Sequence, residues 1–147
     1  MCIRDSSEGR GTDAPLEQVG AKWLTDAPEI AHIMNAKGLP GVEFTTISRH
    51  VARGEKFGGL TIPMIKVRVT DRDKIRSVDV AAHLLREIYL RHPRQLQWRE
   101  HGIERLSGSP ALRAAVEHGG IEQLLVRWHE ESARFREASA SYTLYPP

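Results

Sequence analysis

Residues 60–69 read Leu-Thr-Ile-Pro-Met-Ile-Lys-Val-Arg-Val, and the second half of that stretch decides the fold class. Ile65, Val67 and Val69 alternate with Lys66, Arg68 and Thr70. Side chains of a strand point alternately to its two faces, so the pattern predicts a strand over Leu60–Val69 with one buried and one wet face. Pro63 has no N–H to give to a ladder, which assigns the first part of this strand to a strand start, an edge or a bulge. Upstream, Val42–Val51 carries Val42, Phe44, Thr45, Thr46, Ile47 and Val51, a β-branched and aromatic set that predicts a second strand. Between the two, Arg53–Gly59 holds three glycines and mixed charge and reads as a loop.

Helical signals flank this pair of strands. Asp26 is a good N-cap, Pro28 falls in the first turn, and Ile30, Ile33 and Met34 make one apolar face. With Gly38 as a stop and Leu39-Pro40-Gly41 as a turn, a helix is predicted over Ala27–Lys37. Before it, Leu16, Val19 and Trp23 have helix-like spacing that Gly20 weakens. After the strands, Ser77 reads as a cap with Asp79 in the first turn, and Val78, Ala81, Leu84, Leu85 and Ile88 form a stripe that ends near Arg91-His92-Pro93. Leu96 and Trp98 suggest a short extended piece, and Ser107-Gly108 a turn. Ser109-Pro110 opens a short helix carrying Leu112, Ala115 and Val116, which Gly119-Gly120 ends. Ile121, Leu124, Leu125, Trp128 and Phe135 then predict a final helix of about four turns, and Tyr142–Tyr145 an apolar tail along the core. The fold class is α/β, with α+β as the variant: a small sheet packed by about four helices.

The chain has 147 residues, enough for one domain with its own core. Its 40% hydrophobic and 27% charged content is that of a globular chain rather than a disordered one. A formal net charge of +2 is too weak a field for a dedicated nucleic-acid binder. The basic run Arg91, Arg94, Arg99 and Arg105 around Trp98 reads as a solvated face, with a polyanion contact as the sharper alternative. No stretch of about 18 apolar residues is present to span a membrane. Met1-Cys2-Ile3-Arg4-Asp5-Ser6 reads neither as a targeting signal nor as a structured element. It resembles a translated sequencing adapter, so the domain is taken to run over 7–147. The lone Cys2 falls in this suspect head. The seven histidines show no HExxH arrangement, so no metal site is expected.

Two polar clusters stand out. Ser7-Glu8-Gly9-Arg10-Gly11-Thr12 combines opposite charges with two glycines that allow close backbone approach. It is either a ligand-binding loop, with Arg10 donating to a carboxylate or to sugar oxygens, or a flexible segment that follows an artefactual start. It is not a dinucleotide fingerprint, since no strand precedes it, and no Gly-Lys-Ser/Thr makes it a phosphate loop. Asp71-Arg72-Asp73 follows the best strand, where it is either a pair of carboxylates for sugar or acid–base work or a side-chain-stabilised turn.

These residues carry a family resemblance. Ser7-Glu8-Gly9-Arg10-Gly11-Thr12, then Pro15-Leu16-Glu17 and Gly20-Ala21-Lys22-Trp23-Leu24, resemble the hallmark of the bacterial exo-β-N-acetylmuramidases, whose pattern reads Ser-Glu-Gly-Arg-Gly-Thr, Pro-Phe-Glu and Gly-Ala-Pro-Trp. Leu39-Pro40-Gly41-Val42-Glu43-Phe44, Phe57-Gly58-Gly59, Val69-Thr70-Asp71-Arg72, Leu106-Ser107-Gly108 and Tyr142-Thr143-Leu144-Tyr145 are similar to later parts of the family, so the likeness covers Ser7–Pro147. Leu16 and Lys22 depart from the family's Phe and Pro, and Leu60-Thr61-Ile62-Pro63-Met64 stands where a Cys-x-Gly-Val-like stretch is usual.

The resemblance implies the C-terminal domain of a two-domain, extracytoplasmic or periplasmic peptidoglycan hydrolase. A Rossmann-like N-terminal domain would carry the main acid, and no cofactor is implied. The substrate would be the non-reducing-end N-acetylmuramic acid of wall fragments. Glu8, Arg10 and Thr12 would line the cleft between the two domains. The alternative reading is a stand-alone module that binds a wall glycan or an acidic partner.

Overall fold

The computed structural model describes residues 6–9, 12–51, 53–54 and 57–143. Arg10 and Gly11 of the polar loop, residues 1–5 of the head, and Leu144 and Tyr145 of the tail lie outside the described residues. In chain order the elements are β1 (Gln18–Gly20), α1 (Ala27–Ala36), β2 (Val42–His50), β3 (Thr61–Val69), α2 (Ser77–Arg91), α3 (Gly102–Ser107), α4 (Ala111–His118) and α5 (Ile121–Ser139), closed by a 3₁₀ turn over Ala140–Tyr142. The strands form one antiparallel sheet in the order β1-β3-β2.

The register explains the sequence pattern. Val42 pairs with Val69, Phe44 with Val67, and Thr46 with Ile65, which in turn pairs with Val19. Because side chains alternate across a strand, Val19, Phe44, Ile65 and Val67 share one face. That face packs against Ile30, Ala31 and Met34 of α1, and the cluster continues to Val80, Leu84 and Ile88 of α2. A second core joins the other side of α2, through Ala82, to Ile103, Leu112, Val116, Ile121 and Leu124 of α3, α4 and α5. Leu85, Tyr89 and Trp98 touch both cores and weld the two layers. The edge of β2 is tied down by Asn35, whose amide Nδ2 donates to the Phe44 carbonyl at 2.8 Å and whose Oδ1 accepts from the Phe44 N–H at 2.8 Å. This double bond imitates a neighbouring strand and satisfies groups that an open edge would expose.

Three local readings are corrected by the structure, and one helix was missed. The segment read as helix-like holds strand β1, because tertiary pairing overrides a weak local period. Gly20 sits so close to β3 that a Cβ there would lie 2.6 Å from the Pro63 carbonyl oxygen and 2.5 Å from Met64 Cγ. Ser77 is the first helical residue of α2 rather than its cap; Arg76 holds the cap position and makes no side-chain cap bond. Asp26 does occupy the cap position of α1, but its carboxylate accepts from His92 Nε2 at 2.6 Å instead of from the helix N–H groups. Helix α3 was not legible, since six residues opening on a left-handed His101 and burying only Ile103 carry no measurable period. Two smaller differences follow. α5 runs for 19 residues, longer than its apolar stripe. Tyr142 is 84% exposed, so the tail leaves the core by that point.

Pro63 lies in the part of β3 that β1 does not cover, for β1 pairs only with Met64, Ile65 and Lys66. There β3 is itself an edge, which is where a residue without an N–H is tolerated.

Candidate functional site

The second face of the sheet carries Gln18 and Gly20 of β1, Ile62, Met64 and Lys66 of β3, and Thr45, Ile47 and Arg49 of β2. Val51, Ile62 and Met64 are buried there with Ile47 and Phe57 against them, a small core without helical residues. The polar loop at the chain's start lies over this face. Two independent contacts place it: Asp13 pairs with Arg49, and Thr12 bonds Gln18.

The loop is held largely by its own backbone. Ser7 exchanges two bonds with Gly20, Ser7 N to Gly20 O at 2.7 Å and Gly20 N to Ser7 O at 2.9 Å, which adds a bridge outside β1. Glu8 is half-buried, and its carbonyl accepts from Leu16 N at 2.7 Å, closing the loop at its base. Gly9 takes φ +79°, and a Cβ there would lie 2.6 Å from the Gln18 side chain and 2.8 Å from the Ala14 carbonyl oxygen. Only glycine fits both demands.

Thr12 is half-buried, and its hydroxyl is fully used. It donates to Gly9 O at 2.6 Å and accepts from Ala14 N at 3.2 Å and Gln18 Nε2 at 2.6 Å, the full complement of one donor and two lone pairs. Of the three sequence-named residues, Glu8 and Thr12 are thus brought together in one closed loop, and Arg10 falls outside the described residues. Beside them Leu16 has φ +67° and is 70% exposed, a left-handed apolar residue at the loop's rim. Such backbone strain persists only where the surroundings hold it. Lys22, where the family pattern has proline, places its Nζ 5.9 Å from the Phe57 ring centroid, a cation–π contact across the same surface.

The Asp71 cluster forms the turn. Asp73 N donates to Asp71 Oδ1 at 3.0 Å, and Lys74 Nζ lies 2.9 Å from Oδ2. The Lys74 hydrogen bond, helped by the Asp73 backbone, holds the Asp71 carboxyl below its usual range. In the basic run, Arg91 turns to Glu29 at 2.9 Å and Asp26 at 3.5 Å, and the Glu29 bond raises its already high pKa. Trp98 gives its N–H to Glu117 at 2.8 Å, and the Arg113 guanidinium lies over its ring at 5.9 Å from the centroid. No group of three metal-ligating side chains occurs among the described residues, and no helix among them is long and apolar enough to cross a membrane.

Away from this face, a groove of about 1100 Å³ lies between the start of α2, α3 and the second half of α5. Its floor includes Leu85, Leu112 and Trp128, and exposed Val78, Leu106 and Phe135 rim it. None of its described lining comes from the sheet or the polar loop.

The profile of the family described as "Exo-beta-N-acetylmuramidase NamZ, C-terminal" matches residues 2–145. The chain is 28% identical over 141 residues to the peptidoglycan beta-N-acetylmuramidase NamZ of Bacillus subtilis (strain 168), a match covering 95% of this chain and 34% of that protein. Among solved structures it is similar to a DUF1343 family protein from Bacteroides fragilis, with a TM-score of 0.81 at 21% identity over 96% of this chain and 38% of that one. The latter likeness concerns the fold. The chain thus spans about a third of the length of the relatives it matches.

Proposed function

Because the chain belongs to the family of exo-β-N-acetylmuramidase C-terminal domains, we propose that it is the part of a peptidoglycan hydrolase that lines the substrate cleft and recognises the terminal N-acetylmuramic acid. The observation that carries this reading is the loop of Ser7–Leu16. Its described residues are bonded to one another and to the sheet edge, over the face of the sheet against which none of the described helices packs. A pre-formed polar loop on an uncapped face is suited to be one wall of a cleft.

In this reading each residue has a physical task. Glu8 presents its carboxylate to sugar hydroxyls. Arg10 pairs with the lactyl carboxylate of muramic acid, since guanidinium and carboxylate meet through two parallel hydrogen bonds. Thr12, with its hydroxyl already saturated, lines the cleft by shaping the loop. Hydrolysis of the β-1,4 bond also needs a proton donor for the leaving oxygen and stabilisation of an oxocarbenium-like state. The reading assigns the main acid to the rest of the full-length protein.

A chromogenic muramic-acid substrate tests the division of labour. The 147-residue chain alone is expected to give no turnover, whereas the full-length protein turns over and loses roughly 100-fold or more when this domain is removed. Turnover by the chain alone, or full activity without it, contradicts the reading.

A further inference from the structure

From its placement under the loop, we infer that Gln18 is a positioning residue for substrate recognition, acting through Gly9 and Thr12; this rests on the cleft reading above. Gln18 is 3% exposed, one of two buried polar residues among those described. Its orientation is set by chemistry. The Thr12 hydroxyl spends its proton on Gly9 O and one lone pair on Ala14 N, so the other lone pair needs a donor, and Gln18 Nε2 supplies it at 2.6 Å. Oε1 is then committed to the opposite side, where it is buried with no hydrogen-bond partner among the described residues.

That arrangement is a poor choice for stability. A buried acceptor left unpaired is unfavourable, and an apolar chain of the same shape would remove the penalty. Thr12 would keep its bonds to Gly9 and Ala14. Removing the amide relieves the unpaired acceptor and forfeits the Thr12 bond together, so stability stays near its starting point while the loop loses its anchor. It grips both shoulders of the loop: its stem meets the space where a Gly9 Cβ would stand, and its nitrogen holds Thr12. Glu8 directly precedes the first of those shoulders, Gly9. Gln18 thus sets the height and tilt at which the loop meets a sugar.

The test is Gln18→Met in the full-length protein, beside Glu8→Ala and Arg10→Ala. Gln18→Met should leave Tm unchanged or raise it. It should speed exchange of the Leu16 amide, whose bond closes the loop, and lower kcat/KM on the muramic-acid substrate by roughly 10-fold, mainly through KM. Wild-type kinetics for Gln18→Met while Arg10→Ala is impaired overturns the positioning role and spares the cleft. A lowered Tm with activity falling in step also overturns it, since that is the behaviour of a purely structural residue. Wild-type kinetics for both Glu8→Ala and Arg10→Ala sinks the cleft reading itself, and the inference with it.

Discussion

Gly41→Ala is expected to destabilise the domain by about 3 kcal/mol or more and to lower Tm by about 10 °C. Gly41 forms the turn into β2 with φ +71°, a left-handed conformation that a Cβ resists. Its carbonyl accepts from Thr70 N at 2.9 Å and Asp71 N at 3.3 Å, so the turn is bonded to the end of β3. The new Cβ would lie 2.4 Å from Asp71 O and 2.7 Å from Ile75 N, which are backbone atoms that cannot rotate away. Gly38→Ala is the matched control. It has φ +65° and nothing within 4 Å, so it reports the conformational strain alone, about 1 kcal/mol. Thermal unfolding of the two variants should differ by several degrees. Equal shifts would show that the crowding at Gly41 relaxes and that the junction is softer than described.

Arg10→Ala in the full-length protein is expected to reduce kcat/KM on a muramic-acid substrate by roughly 100-fold, the scale of losing a charge-assisted bidentate pair with a desolvated carboxylate. The matching N-acetylglucosaminyl substrate lacks the lactyl group and should lose far less. Arg10→Lys keeps the charge and loses the planar fork, so its loss should fall between the two. The informative quantity is the ratio between substrates. A loss equal for both would mean that Arg10 serves the loop or the protein rather than the carboxylate.

Much of this architecture was legible in the sequence because it rests on strong periods and unambiguous stops. The alternation Ile65-Lys66-Val67-Arg68-Val69 fixed the central strand, and Gly38, Pro93 and Gly119-Gly120 marked helix ends in agreement with the structure. Apart from the short α3, what was missed depends on partners distant in sequence. β1 is three residues long and exists because β3 has a free edge beside it. The carboxylate of Asp26 abandons its own helix because Arg91, the last residue of α2, and His92 just after it reach across to it. In the candidate site, the Gly-spaced polar stretch was visible from composition and resemblance. Gln18 was not, since a single glutamine in a weakly patterned segment carries no local signal. Its role follows only from burial and from the hydroxyl arithmetic of Thr12, six positions earlier.

The most direct test of the central claim is hydrogen–deuterium exchange of the full-length protein with and without a muramic-acid disaccharide. Peptides covering Ser7–Leu16 should gain protection on binding, while those lining the groove between α2 and α5, at Val78 and Phe135, should be unaffected. Protection confined to that groove, with the loop unchanged, would contradict the account and move the sugar site to the other side of the domain.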